Sequence, residues 1–165
     1  NKSSLPKVVG GFNTNVTFKN FDMNILMNFS FGSYLHDSVY ASLMNGFESP
    51  GRNGHPNLKN RWQNPGDKTD VPLFLNEQND FNAISSRFLF KNNYLRVRGL
   101  NLGYTFDENW MENYQIHGLR VYLQGDNLFT FQSHKGIDPE QELSGLTNNR
   151  SHQMKTISLG INLQL

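Results

Sequence analysis

Asp138 and Glu140, in the stretch GIDPE, are the two carboxylates whose spacing raises the question of catalysis. A glycosidase uses two such groups, one as a general acid and the other as a base or nucleophile. Here only a proline separates them in a turn-rich stretch, and no regular element is predicted to hold them at a fixed distance. The pattern therefore favours a role in loop architecture, and we predict that the protein is not an enzyme.

The histidines do not have the spacing of metal ligands. They are scattered over stretches predicted as loops and linkers, where we expect them to be solvated. The chain has no cysteine, which excludes disulfides and thiolate metal sites. We therefore expect no metal and no cofactor. The five histidines are His36, His55, His117, His134 and His152.

Charge and length exclude further classes of function. The chain has 165 residues and a formal net charge of +1, whereas a nucleic-acid-binding protein needs a clustered basic excess. No apolar run approaches the roughly 18 residues of a transmembrane helix, and no signal peptide is visible at Asn1. Membrane-spanning strands are not excluded, because their lipid-facing and lumen-facing residues alternate and their average hydropathy looks polar.

Strict alternation of apolar and polar residues marks two stretches. In ISLGINLQL (157–165) every odd-numbered residue is apolar, and the same holds for FDMNILMNFSF (21–31), where only Leu26 interrupts the polar set. Because strand side chains point alternately to opposite faces, each stretch predicts a strand with one apolar and one polar face. A very short link around Lys19 joins the second stretch to VVGGFNTNVTF, which predicts a tight hairpin.

Two further strands are predicted, in YLRVRGLNLGYTF and LRVYLQGDNLFTF. The first changes phase, since its apolar residues fall on odd numbers up to Val97 and on even numbers from Leu100. One extra residue near Arg98 and Gly99 would restore a single apolar face, as a β-bulge does. We therefore predict a bulge between Val97 and Leu100, with Leu100, Leu102 and Tyr104 facing lipid.

The connections between the five strands alternate in length. Residues 35–86 and 132–151 are rich in glycine, proline, asparagine and aspartate and predict long loops, the first with a short helix ending near Gly46. The links around Lys19 and over residues 107–118 are shorter. Because antiparallel neighbours reverse direction, both long loops lie at one end of the sheet.

This asymmetry is typical of an antiparallel transmembrane β-barrel with periplasmic turns and long extracellular loops. Five strands cannot close a barrel, whose smallest single-chain examples have about eight. Residues 1–165 are therefore predicted to be part of a longer all-β chain. The alternative is a soluble β-sandwich, such as a carbohydrate-binding or lectin-like module, whose apolar face would be folded onto a second sheet.

Several stretches together resemble the C-terminal end of the SusC/RagA family of TonB-dependent outer-membrane transporters. They follow one another in the family's order and cover nearly the whole chain. Leu165 stands where the family usually has an aromatic residue, and RWQNPGDKTD is a loose version of its loop motif. The stretches are PKVVGGFNTNVTFKNFDMNILMNFSFG, NRWQNPGDKTDVP, SSRFLFKNNYLRVRGLNLGYTF, LRVYLQGDNLFTF, KGIDPE and TISLGINLQL.

The resemblance implies a barrel of about 22 strands, of which residues 1–165 hold the last five. It implies that a plug domain, the earlier strands and the segment contacting the TonB complex lie in a part of the protein absent from this chain. It also implies a SusD-like lipoprotein lid, a place in the outer membrane of a Gram-negative bacterium, and uptake of glycan oligosaccharides or peptides. A dimer of transporter–lid pairs is compatible with it.

The last residues fit a signal read by the barrel-assembly machinery. Outer-membrane proteins end with a polar residue, a glycine two places on, and hydrophobic residues at the third-last and last positions. An ordinary alternating strand is the alternative. The residues that fit the signal are Ser158, Gly160, Leu163 and Leu165.

The transporter interpretation assigns three sets of side chains. Polar residues predicted to face the lumen are Asn24, Asn28, Ser30, Asn101, Arg120, Gln124, Asp126, Thr156 and Asn162. Loop residues predicted to contact substrate or lid are Tyr40, Phe47, Arg61, Trp62, Asp138 and Glu140. An aromatic belt at the bilayer interface is predicted from Tyr94, Tyr104, Trp110 and Tyr114.

Overall fold

Five long antiparallel strands form the main sheet in the computed structural model, which describes residues 2–45, 51, 53–73, 83–107, 116–147 and 151–164. The strands are β1 (Val8–Phe18), β2 (Phe21–Phe31), β5 (Tyr94–Thr105), β6 (Gly118–Gln132) and β7 (Thr156–Gln164). Each pairs with the next in the order β1-β2-β5-β6-β7. The five predicted strands and the antiparallel all-β fold are confirmed. Within the described ranges, no helix is long and apolar enough to cross a membrane.

The hairpin of β1 and β2 turns through Lys19 and Asn20. Phe18 pairs with Phe21, and Lys19 adopts a left-handed conformation with φ of 53°. This is the tight connection that the sequence predicts. We call the end of the sheet that carries this turn the turn end, and the opposite end, which carries the described residues of 33–92 and 133–151, the loop end.

The pairing register gives the sheet one apolar and one polar face. Residues directly opposite in neighbouring strands share a face, and pairs such as Phe12 with Met27 and Leu123 with Leu159 lie on the apolar one. Phe131 and Leu159 there are 63% and 74% exposed. In the part of the chain that the structure describes, no second sheet covers this face, so the sandwich interpretation is not supported.

The predicted bulge is present in β5. Leu26 of β2 pairs with Gly99, whereas the next residue, Met27, pairs with Val97, so Arg98 has no partner in β2. The extra residue brings the odd-numbered apolar residues before it and the even-numbered ones after it, from Leu100 onward, onto the same face.

A second irregularity lies at the same level in β6. Val97 pairs with Phe129 and Gly99 with Asp126, so two residues of β6 stand opposite the single Arg98. The first of them, Asn127, has a φ of 52°. Between the same flanking pairs, β2 therefore has no extra residue, β5 has one and β6 has two.

The first long connection folds into a small structure that we call the loop body. It contains β3 (Tyr34–His36), α1 (Ser38–Leu43), a 3-10 helix at Pro56–Asn60, another at Ser86–Phe88, and β4 (Leu89–Lys91), which pairs with β3. The predicted short helix is confirmed and ends at Leu43, while Gly46 lies outside the described residues. The core of the loop body consists of Ala41, Met44, Val71 and Phe88, with Tyr40, Leu58 and Phe90 packed against it.

The second loop, residues 133–147, lies along the loop body. The backbone N–H of His36 donates to the carbonyl of Gly145 at 2.7 Å, and that of Thr147 donates to the carbonyl of His36 at 3.3 Å. The Ser38 backbone N–H also donates to the Thr147 hydroxyl at 2.9 Å. The two loops are therefore connected to each other by backbone and side-chain hydrogen bonds.

Candidate functional site

The candidate site is the polar face of the sheet, together with the loops that meet it at the loop end. The register places all nine residues predicted to face the lumen on this one face. They are Asn24, Asn28, Ser30, Asn101, Arg120, Gln124, Asp126, Thr156 and Asn162. That this face borders the barrel interior stays a prediction.

Arg96 of β5 holds the second loop against the polar face. Its side chain is 2% exposed and points away from the apolar face, since Arg96 pairs with Asn28 and Thr130. Its Nη2 donates to both carboxylate oxygens of Asp138 at 2.9 Å, and its Nη1 donates to Glu140 Oε2 at 3.0 Å. Its Nε donates to the Thr130 hydroxyl at 3.1 Å. A buried guanidinium thus has charged partners on the GIDPE stretch.

Arg98, the bulge residue, completes this network. Its Nη2 donates to Glu140 Oε2 at 2.6 Å and its Nη1 to Gln153 Oε1 at 3.0 Å. The Gln153 backbone N–H donates in turn to Asp138 Oδ2 at 3.2 Å. Two arginines, two carboxylates and one glutamine therefore join β5, the second loop and the segment that leads into β7.

Asp138 is ionised in this setting. Burial by itself would raise the pKa of Asp138, but hydrogen bonds from the Glu140 backbone N–H, from Arg96 and from the Gln153 backbone N–H hold the pKa below its ordinary value. The carboxylate is an acceptor for arginine rather than a proton donor. This is the loop-architecture role that the sequence favoured for GIDPE, while direct contact of Asp138 and Glu140 with substrate or lid stays a prediction.

A second side-chain contact joins the loop body to the second loop. His134 Nε2 lies 2.7 Å from Asp37 Oδ2, and the imidazole stacks on Phe90 with ring centroids 3.9 Å apart. Burial opposes ionisation of Asp37, but the hydrogen bonds from His134 and from the Tyr40 backbone N–H hold the pKa of Asp37 below its ordinary value. Asp37 also caps the N-terminus of α1 through that Tyr40 contact.

At the turn end, the polar face carries a separate ion pair. Arg120 Nε donates to Asp22 Oδ1 at 2.9 Å, and Arg120 Nη2 donates to Asp22 Oδ2. Gly103 lies between them, and a Cβ atom built there would collide with both side chains. The absence of a side chain at position 103 is therefore what allows this bidentate pair to cross β5.

The assembly-signal residues are divided between the two faces. Ser158 and Gly160 lie on the polar face, where the Tyr122 ring covers Gly160, and Leu163 lies on the apolar face. Leu165 lies outside the described residues. Their reading as an assembly signal stays a prediction.

The other predicted contact residues belong to the loop body. The Tyr40 hydroxyl accepts a hydrogen bond from the Asn57 amide at 3.0 Å, and the Trp62 backbone N–H donates to the Val71 carbonyl at 2.9 Å. Arg61 is half-buried beside Trp62. Phe47 lies outside the described residues.

Of the two described residues of the predicted aromatic belt, only one lies on the apolar face. Tyr104 lies on the apolar face at the turn end, with its ring centroid 4.7 Å from that of Phe21 and 4.9 Å from that of Phe106. Tyr94 pairs with Ser30 on the polar face, so its assignment to a belt on the apolar face is wrong. Trp110 and Tyr114 lie outside the described residues.

Comparisons with known proteins place these features in one family. No family model matches the sequence. The chain is 28% identical over 170 residues to TonB-dependent receptor P3 of Formosa agariphila, covering 96% of this chain and 16% of that protein. It is 30% identical over 158 residues to TonB-dependent receptor SusC of Bacteroides thetaiotaomicron, covering 95% of this chain and 15% of that protein.

Solved structures give the same result. A chain of the RagAB peptide importer in its closed-closed state matches with a TM-score of 0.82 and 28% identity, over 98% of this chain and 18% of that one. A second RagAB peptide transporter structure matches with a TM-score of 0.81 and 27% identity. The chain thus spans less than a fifth of the length of the proteins it matches. It is a segment of a SusC/RagA-family TonB-dependent β-barrel of the outer membrane.

Proposed function

We propose that the chain forms part of the wall of an outer-membrane transporter that takes up large polar nutrients, glycan oligosaccharides or peptides, in a TonB-dependent manner. The apolar face would contact lipid and the polar face would line the hydrated interior. The relatives support this proposal, since they are named as TonB-dependent receptors and as a peptide importer. These names describe receptors and a transporter rather than enzymes.

The observation that carries the proposal is the uncovered apolar face. A soluble protein rarely exposes a contiguous apolar patch larger than a few hundred Å². Here large apolar side chains are exposed on all five strands, and the polar residues of the same strands lie behind them. Lipid on one side and water on the other satisfy both faces at once.

The loops support a proposal about the partner protein. The loop body and the second loop form one structure at the loop end, where a SusD-like lipoprotein lid would meet the transporter. Tyr40, Arg61 and Trp62 belong to this structure, and we propose them as contacts with lid or cargo. The TonB complex would act through parts of the protein outside this chain, and the barrel-assembly machinery would read the end of β7.

The proposal is tested by detergent dependence and topology of the full-length protein. We expect aggregation when detergent is removed. Asn53→Cys, in the loop body, should react with an impermeant thiol reagent on intact cells, whereas Asp107→Cys, at the turn end, should react only after the outer membrane is opened. Both residues are exposed in the structure. A monodisperse protein without detergent, or equal labelling of the two cysteines, would contradict the proposal.

A further inference from the structure

A cleft lies between the loop body and the second loop. Val39, Tyr40 and His55 line it on the side of the loop body, and residues 134–137 line it on the side of the second loop. Its volume is about 340 Å³, which is within the range of small-molecule sites in proteins. The cleft is open to solvent, since Asn57, which also lines it, is exposed. Because both loops form its walls, the cleft exists only while they are docked on each other.

Four rings line the cleft. The Tyr40 ring lies edge-to-face with the His55 imidazole, with 4.8 Å between the ring centroids, and its centroid is 5.9 Å from that of Phe90. The Phe90 ring in turn stacks on His134, with 3.9 Å between the centroids. These contacts hold the rings in place on both sides of the cleft. The C–H groups of a sugar ring pack well on such a wall, because the face of an aromatic ring is electron-rich.

The polar atoms of three of these rings have defined hydrogen-bonding roles. The Asn57 backbone N–H donates to His55 Nδ1 at 3.2 Å, so that ring carries its proton on Nε2 and offers a donor there. The Tyr40 oxygen accepts from the Asn57 amide at 3.0 Å, so its hydroxyl hydrogen remains to be donated. His134 Nε2 lies 2.7 Å from Asp37 Oδ2, so the neutral His134 ring keeps Nδ1 as an acceptor. Donors and an acceptor therefore occur together on rings that line the cleft.

The cleft offers little accessible charge. Asp37 is the one carboxylate among its described lining residues, its side chain is 3% exposed, and it already accepts hydrogen bonds from His134 and from the Tyr40 backbone N–H. Lys135 is the one lysine there and is exposed. A basic side chain or the amino terminus of a peptide would need an accessible carboxylate. A sugar hydroxyl needs none, because it both donates and accepts hydrogen bonds.

We propose that this cleft binds one uncharged sugar unit of an oligosaccharide cargo. Sugar hydroxyls accept hydrogen bonds from His55 Nε2 and from the Tyr40 hydroxyl, and another hydroxyl donates to His134 Nδ1. The C–H groups of the sugar ring pack against the aromatic wall. The inference rests on the proposed function and narrows it, since it selects glycans rather than peptides as the cargo. Because both loops contribute to the site, binding stabilises their docking on each other.

The experiment presents the full-length transporter in detergent to an array of uncharged oligosaccharides, acidic oligosaccharides and peptides. We expect an uncharged oligosaccharide to bind most tightly. In solution, the same oligosaccharide should slow hydrogen exchange in residues 39–43 and 133–137, because a ligand stabilises the docked loops. Tyr40→Phe keeps the ring but removes the hydroxyl group. This variant should weaken the affinity about fivefold, as expected for one neutral hydrogen bond, while exchange of the unliganded protein stays unchanged.

Tyr34→Phe is the matched control, because Tyr34 belongs to the same loop body but does not line the cleft. Equal affinities of Tyr40→Phe and Tyr34→Phe would overturn the inference, and so would bound oligosaccharide that leaves exchange in residues 39–43 and 133–137 unchanged. Tightest binding of a peptide or an acidic oligosaccharide, or no binding of any uncharged one, would overturn the assignment to uncharged sugars. In these outcomes a protein that still requires detergent retains the proposed function. A full-length protein that is monodisperse without detergent fails the proposed function itself.

Discussion

The main sheet and the loop body place their apolar residues in opposite ways. On the sheet, side chains such as Phe18 and Leu159 are mostly exposed, and polar residues lie behind them. In the loop body, Phe88 and Met44 are buried beneath a polar surface, as in a water-soluble domain. The chain therefore exposes its apolar side chains on the sheet and buries them in the loop body. The two arrangements meet within a few residues of the loop end.

The sheet and the loop body are therefore stabilised by different interactions. The sheet gains little from burial within this chain, so its stability depends on strand pairing and on the lipid that we propose covers the apolar face. The loop body depends on a small apolar core and on hydrogen bonds to the second loop, which ion pairs with Arg96 and Arg98 connect to the sheet. A substitution should consequently act on membrane insertion in one region and on loop docking in the other.

The largest expected effect is on loop docking, through Arg96→Met. This substitution leaves Asp138 buried without its cation, which costs about 3 to 5 kcal/mol for a buried pair. Hydrogen exchange in peptides covering residues 133–147 of the full-length protein should rise strongly, while the amount of membrane-inserted protein stays normal. Arg98→Met is the matched control, because Arg98 is 32% exposed and its removal should have a smaller effect. Unchanged exchange in Arg96→Met would contradict the assigned role.

A somewhat smaller effect is expected on insertion, from a charge on the apolar face. Leu159→Lys places an ammonium group on the face proposed to contact lipid, at a cost of roughly 2 to 4 kcal/mol near the membrane midplane. Asn162→Lys, on the polar face of the same strand, should be tolerated. Quantifying heat-modifiable protein in outer-membrane fractions checks both variants. Similar depletion of the two would show that the faces are assigned wrongly.

The strands of the sheet could be predicted from sequence because their pattern is local. Alternation defined all five strands, and the parity change at Arg98 revealed the bulge in β5. The irregularity in β6 was not predicted. β6 has two extra residues relative to β2, and two extra residues leave the apolar side chains on odd numbers on both sides of the irregularity. Parity detects only an odd number of inserted residues.

The loop body and the ion pairs between the second loop and β5 could not be predicted in the same way. Its core joins residues as distant as Ala41 and Phe88, and no periodicity connects them. The pairing of Arg96 with Asp138 spans 42 residues. One signal was present, because YLRVRG places two arginines on one strand face and GIDPE offers two carboxylates at the same spacing. Opposite charges at matched spacing could have suggested the contact.

The smallest expected effect concerns acid, which acts on the two carboxylates that hold the second loop, Asp37 and Asp138. The pKa of Asp37 is held below its ordinary value of 3.8, so this carboxylate stabilises the contact above that pH and loses its contribution as the pH falls through the lowered pKa. Hydrogen exchange of residues 133–147, corrected for the intrinsic rate, should therefore rise once the pH falls below about 4.

Asp37→Asn should raise this exchange already at neutral pH, by an amount corresponding to about 1.5 to 3 kcal/mol for a hydrogen bond to a charged group. Asp67→Asn is the control. Asp67 also has a lowered pKa, because it accepts hydrogen bonds from the backbone N–H groups of Asn64 and Gln63, but it is exposed in the loop body and makes no hydrogen bond or ion pair with the described residues of the second loop. If Asp67→Asn changed exchange in residues 133–147 as much as Asp37→Asn, the effect would belong to the whole loop body rather than to the hydrogen bond between Asp37 and His134.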